Sequence, residues 1–152
     1  MFYKAEFNSP IGSLGLLASK EKLLKISFKG IKDIVEDAKE DQGRFVLIFK
    51  ELDEYFNGKR KKFTVDYLIE SSPFSTRVYK EMAMIPYGKT LSYGQLAQKC
   101  GRKLAYRAVG TVCGKNPLPL IVPCHRVTAS NGLGGFGGGL DTKRFLLNLE
   151  TN

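Results

Sequence analysis

The chain has 152 residues and a mass of 17.0 kDa, enough for one large domain or two small ones. It is 43% apolar and 26% charged, as globular proteins are, and no uncharged apolar stretch of about 18 residues exists to span a bilayer. The net charge is +9, and it is lopsided: Met1–Ser72 holds 13 basic and 12 acidic residues, Pro73–Asn152 holds 11 and 3. Such a one-sided field suits a polyanionic partner, nucleic acid first, or simply a solubilising surface, and charge alone does not separate the two. Three cysteines, an odd number, fit a reducing compartment better than a disulfide framework, and Met1–Pro10 lacks the apolar segment of a signal peptide. A cytoplasmic location is expected.

In chain order, Phe2–Asn8 and Ser13–Ser19 read as strands joined by the turn Ser9-Pro10-Ile11-Gly12, with Leu23–Phe28 as a third. Ile31–Gln42 is acidic and reads as a surface helix or a loose loop. Phe45, Ile48, Phe49, Leu52 and Phe56 recur at helical spacing, and Gly58 stops that helix. The run Lys59-Arg60-Lys61-Lys62 reads as a solvated loop, and Phe63–Leu68 as a short strand. Charge balance and glycine content both change at Ser71-Ser72-Pro73, so two domains are expected, 1–72 and 73–152.

The second half reads as helices. Ser75 or Thr76 can cap a helix carrying Val78, Met82 and Ile85, ended by Pro86. Ser92 with Gln95 three residues on is a capping-box signature for a helix carrying Leu96, Ala97 and Cys100. After Gly101 a further helix runs from about Leu104 to Cys113, so the pair is a helix-turn-helix candidate, a pattern many helical hairpins share. Ala105, Ala108, Val109 and Val112 fall on one side of the second helix. Lys103, Arg107, Gly110, Thr111 and Gly114 fall on the other, which is basic and smooth. Gly110 inside a helix implies close approach of a sugar-phosphate backbone or of another helix.

The segment Asn116 to Val127 carries the chemistry. Two prolines stiffen its entry, Leu120-Ile121-Val122 should be buried, and Cys124 follows Pro123 directly. The only histidine of the chain, His125, and then Arg126 come next. A cysteine reacts as thiolate, and a neighbouring imidazole or guanidinium stabilises that form, so Cys124 is a candidate nucleophile; a buried, inert cysteine is the alternative. Cys100 and Cys113 read as small core residues, and the Cys/His spacings fit no zinc pattern, so no metal and no cofactor are expected. Gly132–Gly137 matches G-x-G-x-x-G, but no acidic residue follows about 20 positions on, which excludes a dinucleotide fingerprint. Six glycines between Gly132 and Gly139 instead make a loop able to fold over a flat ligand, with Phe136 to stack on it. Thr142–Glu150 reads as a last helix burying Phe145, Leu146 and Leu149.

Pro123-Cys124-His125-Arg126-Val127, preceded by Asn116-Pro117 and by Arg107-Ala108-Val109-Gly110, resembles the O6-alkylguanine-DNA alkyltransferases, over about Phe74 to Glu150. The resemblance implies an α+β protein: a small ribonuclease-H-like α/β domain, then a helical winged helix-turn-helix domain. It implies stoichiometric, irreversible transfer of an alkyl group from O6 of guanine to Cys124 after the base is flipped from the duplex. It implies His125 as the base acting through a water, Glu150 as the group orienting His125, Asn116 as a hinge, and Tyr93 as the DNA-binding residue that rotates the phosphate and donates to guanine N3. Arg107 would fill the gap left by the base, and Ser92, Lys103, Ala105, Gly110, Thr111 and Arg126 would also meet DNA. Cys124 and Val127 carbonyls would read the guanine amino group, with Phe136, Gly137 and Gly138 closing the pocket. The partner is then double-stranded DNA carrying O6-alkylguanine, entered through the minor groove by a monomer, with no membrane involved. Phe136, Gly137, Lys103 and Tyr106 depart from the residues usual in the family, which bears on substrate range and DNA contact. The lone Cys124–His125 pair also admits a thiol hydrolase, and the basic helix a regulatory DNA binder or an inactive damage-sensing relative.

Overall fold

The computed structural model describes residues 1–151. The chain divides into two compact units, Met1–Ile69 and the residues from Glu70 onward. Among the described residues no helix is long and apolar enough to cross a membrane.

In the first unit, β1 (Phe2–Ser9), β2 (Gly12–Ala18) and β3 (Leu23–Ser27) form an antiparallel meander, as their sequence patterns imply. The pairs Tyr3↔Ala18, Ala5↔Leu16 and Phe7↔Leu14 put their side chains on one face, because side chains alternate along a strand. On that face lies the helix α1 (Val46–Phe56), whose Phe49 and Phe56 rings sit 5.6 and 6.4 Å from that of Phe7. On the other face Gly15 meets the chain at Gly30: a Cβ on Gly15 would lie 2.3 Å from the Gly30 carbonyl oxygen.

Two stretches of this unit differ from what their sequence patterns imply. The acidic stretch 31–42 is neither a helix nor a loose loop throughout. It holds a 3-10 turn, Ile31–Asp33, and a short edge strand, β4 (Ala38–Glu40), parallel to β1; the sheet order is β3-β2-β1-β4. Three residues with exposed Lys39 and Glu40 give too little alternation to see in sequence, and charge is what an edge strand carries. The stretch Phe63–Leu68 is not a strand. Two of its backbone donors go to the buried carboxylate of Glu51 on α1, which accepts from Thr64 N (2.9 Å) and Val65 N (3.1 Å) and from the Thr64 hydroxyl (2.6 Å). Arg60 closes the charge at 3.1 Å, and only one bridge, Leu23↔Tyr67, reaches the sheet.

The second unit begins with α2 (Pro73–Ala83). Its cap is Ser72, which accepts from Ser75 N, with Pro73 in the first turn; the cap expected at Ser75 or Thr76 is displaced because Pro73 already has a helical φ and no N–H to satisfy. A two-residue strand β5 (Leu91–Ser92) leads into α3 (Tyr93–Lys99), where the Ser92/Gln95 capping box is formed in both directions. Then come α4 (Tyr106–Gly114), the strand β6 (Val127–Thr128), parallel to β5, and α5 (Leu140–Thr151). Val78, Met82, Leu96, Val109, Leu118, Val122, Val127 and Leu146 form the core. The buried face of α5 is Lys143, Leu146 and Glu150 rather than Phe145, Leu146 and Leu149; Phe145 is 38% exposed. The apolar periodicity was misleading because two charged residues occupy the inward positions. Ala108, placed by spacing on the inner side of α4, is exposed.

Removing a buried carboxylate that satisfies three part-buried donors and a guanidinium should cost about 3 kcal/mol. Glu51→Ala is therefore expected to lower the denaturant midpoint of the protein markedly, whereas Glu54→Ala, at a partly exposed pair with Arg60, should change it little.

Candidate active site

Cys124 stands where the chain leaves a strained, clamped loop. Leu120 has φ +76, in the left-handed region, although it is buried. Asn116 holds the loop in that shape: its side-chain amide donates to Val122 O (2.7 Å), and its oxygen accepts from Leu118 N (3.0 Å). The Asn116 amide also favours the thiolate form of Cys124. A 3-10 turn, Cys124–Arg126, follows, closed by Arg126 N to Pro123 O.

The turn points its next two side chains at one carboxylate. His125 is fully buried, and its Nε2 lies 2.7 Å from Glu150 Oε2. Arg126 donates from Nε and Nη2 to the two oxygens of Glu150, at 2.7 and 2.9 Å, and from Nη1 to Ile85 O. Arg126 was expected on DNA; it is buried instead, with its charge spent on Glu150. A carboxylate only accepts, so Nε2 carries the His125 proton and Nδ1 keeps a lone pair. Among the described residues Nδ1 has no hydrogen-bond partner. Burial holds the His125 pKa below its ordinary 6.5; Glu150 works the other way, and Arg126, by balancing Glu150, limits that effect.

The thiol departs from expectation as well. Burial raises the Cys124 pKa, outweighing the Asn116 amide, the charge of Lys143 and the local backbone N–H groups, so the resting group is a thiol that needs a base. Burial pushes Cys113 up to about 12 and raises Cys100.

Lys143 was not singled out from the sequence. Its side chain is fully buried, donating to Val127 O (2.6 Å) and Gly135 O (3.1 Å), with Nζ 5.9 Å from the Phe136 ring centroid. The available signal was its place three residues before Leu146 and seven before Glu150, on the inward face of the last helix. Lys143 ties the glycine loop to β6 and leaves the Val127 carbonyl one lone pair for another donor. Tyr93 reaches the same loop, its hydroxyl 3.4 Å from Gly135 O, and its ring faces Gly110 of α4. Gly110 thus meets a ring from the neighbouring helix.

The other expected site residues lie apart from this cluster. Lys103, Arg107 and Thr111 are exposed on or before α4, with the Thr111 hydroxyl bonded back to Arg107 O. Ala105 caps α4, half-buried, and the Ser92 hydroxyl caps α3. Gly137 is exposed and Gly138 half-buried.

Because Lys143 places a cation near Cys124, its removal should move the thiolate to higher pH. In Lys143→Met the ultraviolet thiolate titration that Cys124→Ser abolishes should shift upward; an unchanged titration would mean that Lys143 only braces the loop.

Residues 73–152 match the family described as 6-O-methylguanine DNA methyltransferase, DNA binding domain, and residues 2–67 match its ribonuclease-like domain. A methylated-DNA–protein-cysteine methyltransferase of Methanosarcina acetivorans is 43% identical, with 97% of each chain covered. Its counterpart from Metallosphaera sedula is 39% identical over 95% of this chain and 90% of that one. The crystal structure of Mycobacterium tuberculosis OGT in complex with DNA superposes with a TM-score of 0.90 at 38% identity, covering 99% of this chain and 92% of that one. The O6-methylguanine DNA methyltransferase of Methanococcus jannaschii gives 0.68 at 31% identity, over 97% and 90%. A mixed α+β chain with a ribonuclease-like unit, a helical DNA-binding unit and one cysteine set beside a carboxylate-held histidine thus belongs to the 6-O-methylguanine DNA methyltransferase family.

Proposed function

We propose that Cys124 is the residue to which this DNA-repair protein moves an alkyl group from O6 of guanine, once per molecule. The observation that carries this is the Cys124-His125-Glu150 arrangement: a buried thiol next in chain to a neutral imidazole whose free nitrogen can take a proton. His125 Nδ1 takes the thiol proton through a water. The thiolate sulfur bonds to the alkyl carbon, the carbon–O6 bond breaks, and its electron pair enters the purine. Tyr93 gives guanine N3 a proton and regains one from His125, so the thiol proton ends on the base. Burial raises the Tyr93 pKa, which keeps its hydroxyl protonated at neutral pH. The product is a thioether. Cys100 and Cys113, both with raised pKa, offer no thiolate to reverse it.

The same reading puts a monomer on double-stranded DNA through the minor groove. The exposed face of α4 has Arg107, after Lys103, followed by the small Thr111 and Gly114, so cations at its start can meet phosphates while its later turns stay slim enough for a narrow groove. Arg107 occupies the place of the extruded base, where a planar guanidinium can stack.

Mass spectrometry after incubation with an O6-methylguanine duplex should find one methyl on Cys124 and none on Cys100 or Cys113, and Cys124→Ser should gain none. Multiple turnovers, or a methyl elsewhere, would overturn the assignment. Arg107→Ala should lower the ratio of the duplex rate to the rate with free O6-benzylguanine by about tenfold or more, since extrusion costs a few kcal/mol and the free base needs none. An unchanged ratio would remove the finger role.

A further inference from the structure

The tip of the turn between α3 and α4 carries an exposed apolar side chain next to a lysine. Ala105 N donates to Arg102 O at 2.8 Å, so Lys103 and Leu104 are the central residues of a hydrogen-bonded turn. Such positions usually carry Gly, Asn, Asp or Ser. Here Leu104 is 83% exposed, and two residues on, at the start of α4, Tyr106 is 48% exposed. Neither serves the core, because α4 buries Val109, Val112 and Cys113. Tyr106 precedes Gly110 by four residues and so lies one helical turn N-terminal on the stripe that Tyr93 covers.

The surroundings are cationic without relief. Arg102 and Lys103 precede the pair, Arg107 follows it, and no acidic residue stands anywhere between Glu81 and Asp141. Among the described residues Lys103 and Arg107 form no ion pair. Apolar side chains at the rim of an uncompensated cationic surface suit one occupant, duplex DNA: the cations meet phosphates, and the apolar groups meet what lies between them. Minor-groove proteins unstack base steps with wedges of this kind, Leu and Phe among them.

We infer that Leu104 and Tyr106 form a wedge that enters the DNA beside Arg107 and unstacks the base step next to the nucleotide being extruded. This rests on the proposed repair reading and adds to it a residue pair that sets how readily a stacked guanine leaves the duplex. Arg107 fills the gap once it exists; Leu104 and Tyr106 help to open it. Their side chains are large where Ala105 and Ala108, beside them, are small.

The test uses the full chain carrying Leu104→Ser and Tyr106→Ser together; both side chains are exposed, so the fold should survive. A duplex with 2-aminopurine beside O6-methylguanine reports unstacking by a rise in fluorescence, without any need for transfer. The wild-type protein should produce that rise, and the double variant at saturating concentration should not. The ratio of the duplex rate to the free O6-benzylguanine rate should also fall about tenfold, as loss of help with unstacking predicts. A rise and a ratio both like wild type would overturn the inference and leave the pair to a protein partner. Equal losses on duplex and free base would overturn it too, since the pair would then support the pocket. Absence of methyl on Cys124 in a wild-type protein that still gives a Leu104- and Tyr106-dependent rise would sink the transfer reading and leave the wedge standing.

Discussion

The second unit is organised around one buried carboxylate. Removing an ion from water costs several kcal/mol, and a buried charge is tolerated only when its partners satisfy it. Glu150 meets that demand with the imidazole of His125 and two donors of Arg126. The same guanidinium reaches back to Ile85 O, and Tyr87, next to it, donates to Leu149 O. The last turn of α5, the turn after Cys124 and the stretch following α2 are thereby fixed to each other through a single group. The orientation of His125 is a by-product of charge balance.

That balance also sets the resting state. A thiol, a neutral imidazole and a compensated Arg126–Glu150 pair carry no net charge. The remaining cation is Lys143, bonded only to carbonyls. A thiolate formed at Cys124 would be the anion that Lys143 lacks. The site is quiet until a proton moves, which suits a residue that can be spent only once.

Much of this was legible in the sequence where local rules act alone. The β1–β2 hairpin, the α1 stripe and the Ser92/Gln95 capping box follow from alternation, periodicity and capping, and each formed where the residues said. Cys124 and His125 stood out because a lone histidine touches a cysteine in a proline-bounded segment. Pairings between distant residues were the part that did not show. Nothing near Phe63–Leu68 announces that Glu51 will take its donors, and nothing near Arg126 announces that Glu150 will claim its charge. Periodicity failed on α5 for the same reason: Lys143 and Glu150 face inward because partners wait there, and a scale that counts only apolar residues sees surface.

The glycine loop is less free than its composition suggests. Gly134 has φ +75, and a Cβ there would lie 2.8 Å from the Tyr93 ring and 3.0 Å from its hydroxyl. Gly132, Gly135 and Gly137, in contrast, have open space around them. Gly134 is therefore required by its backbone conformation and by an aromatic neighbour on α3, while Gly132, Gly135 and Gly137 meet no such neighbour. Tyr93 works as a template against which the loop is cast, and the shape of the loop is written into α3 as much as into its own glycines.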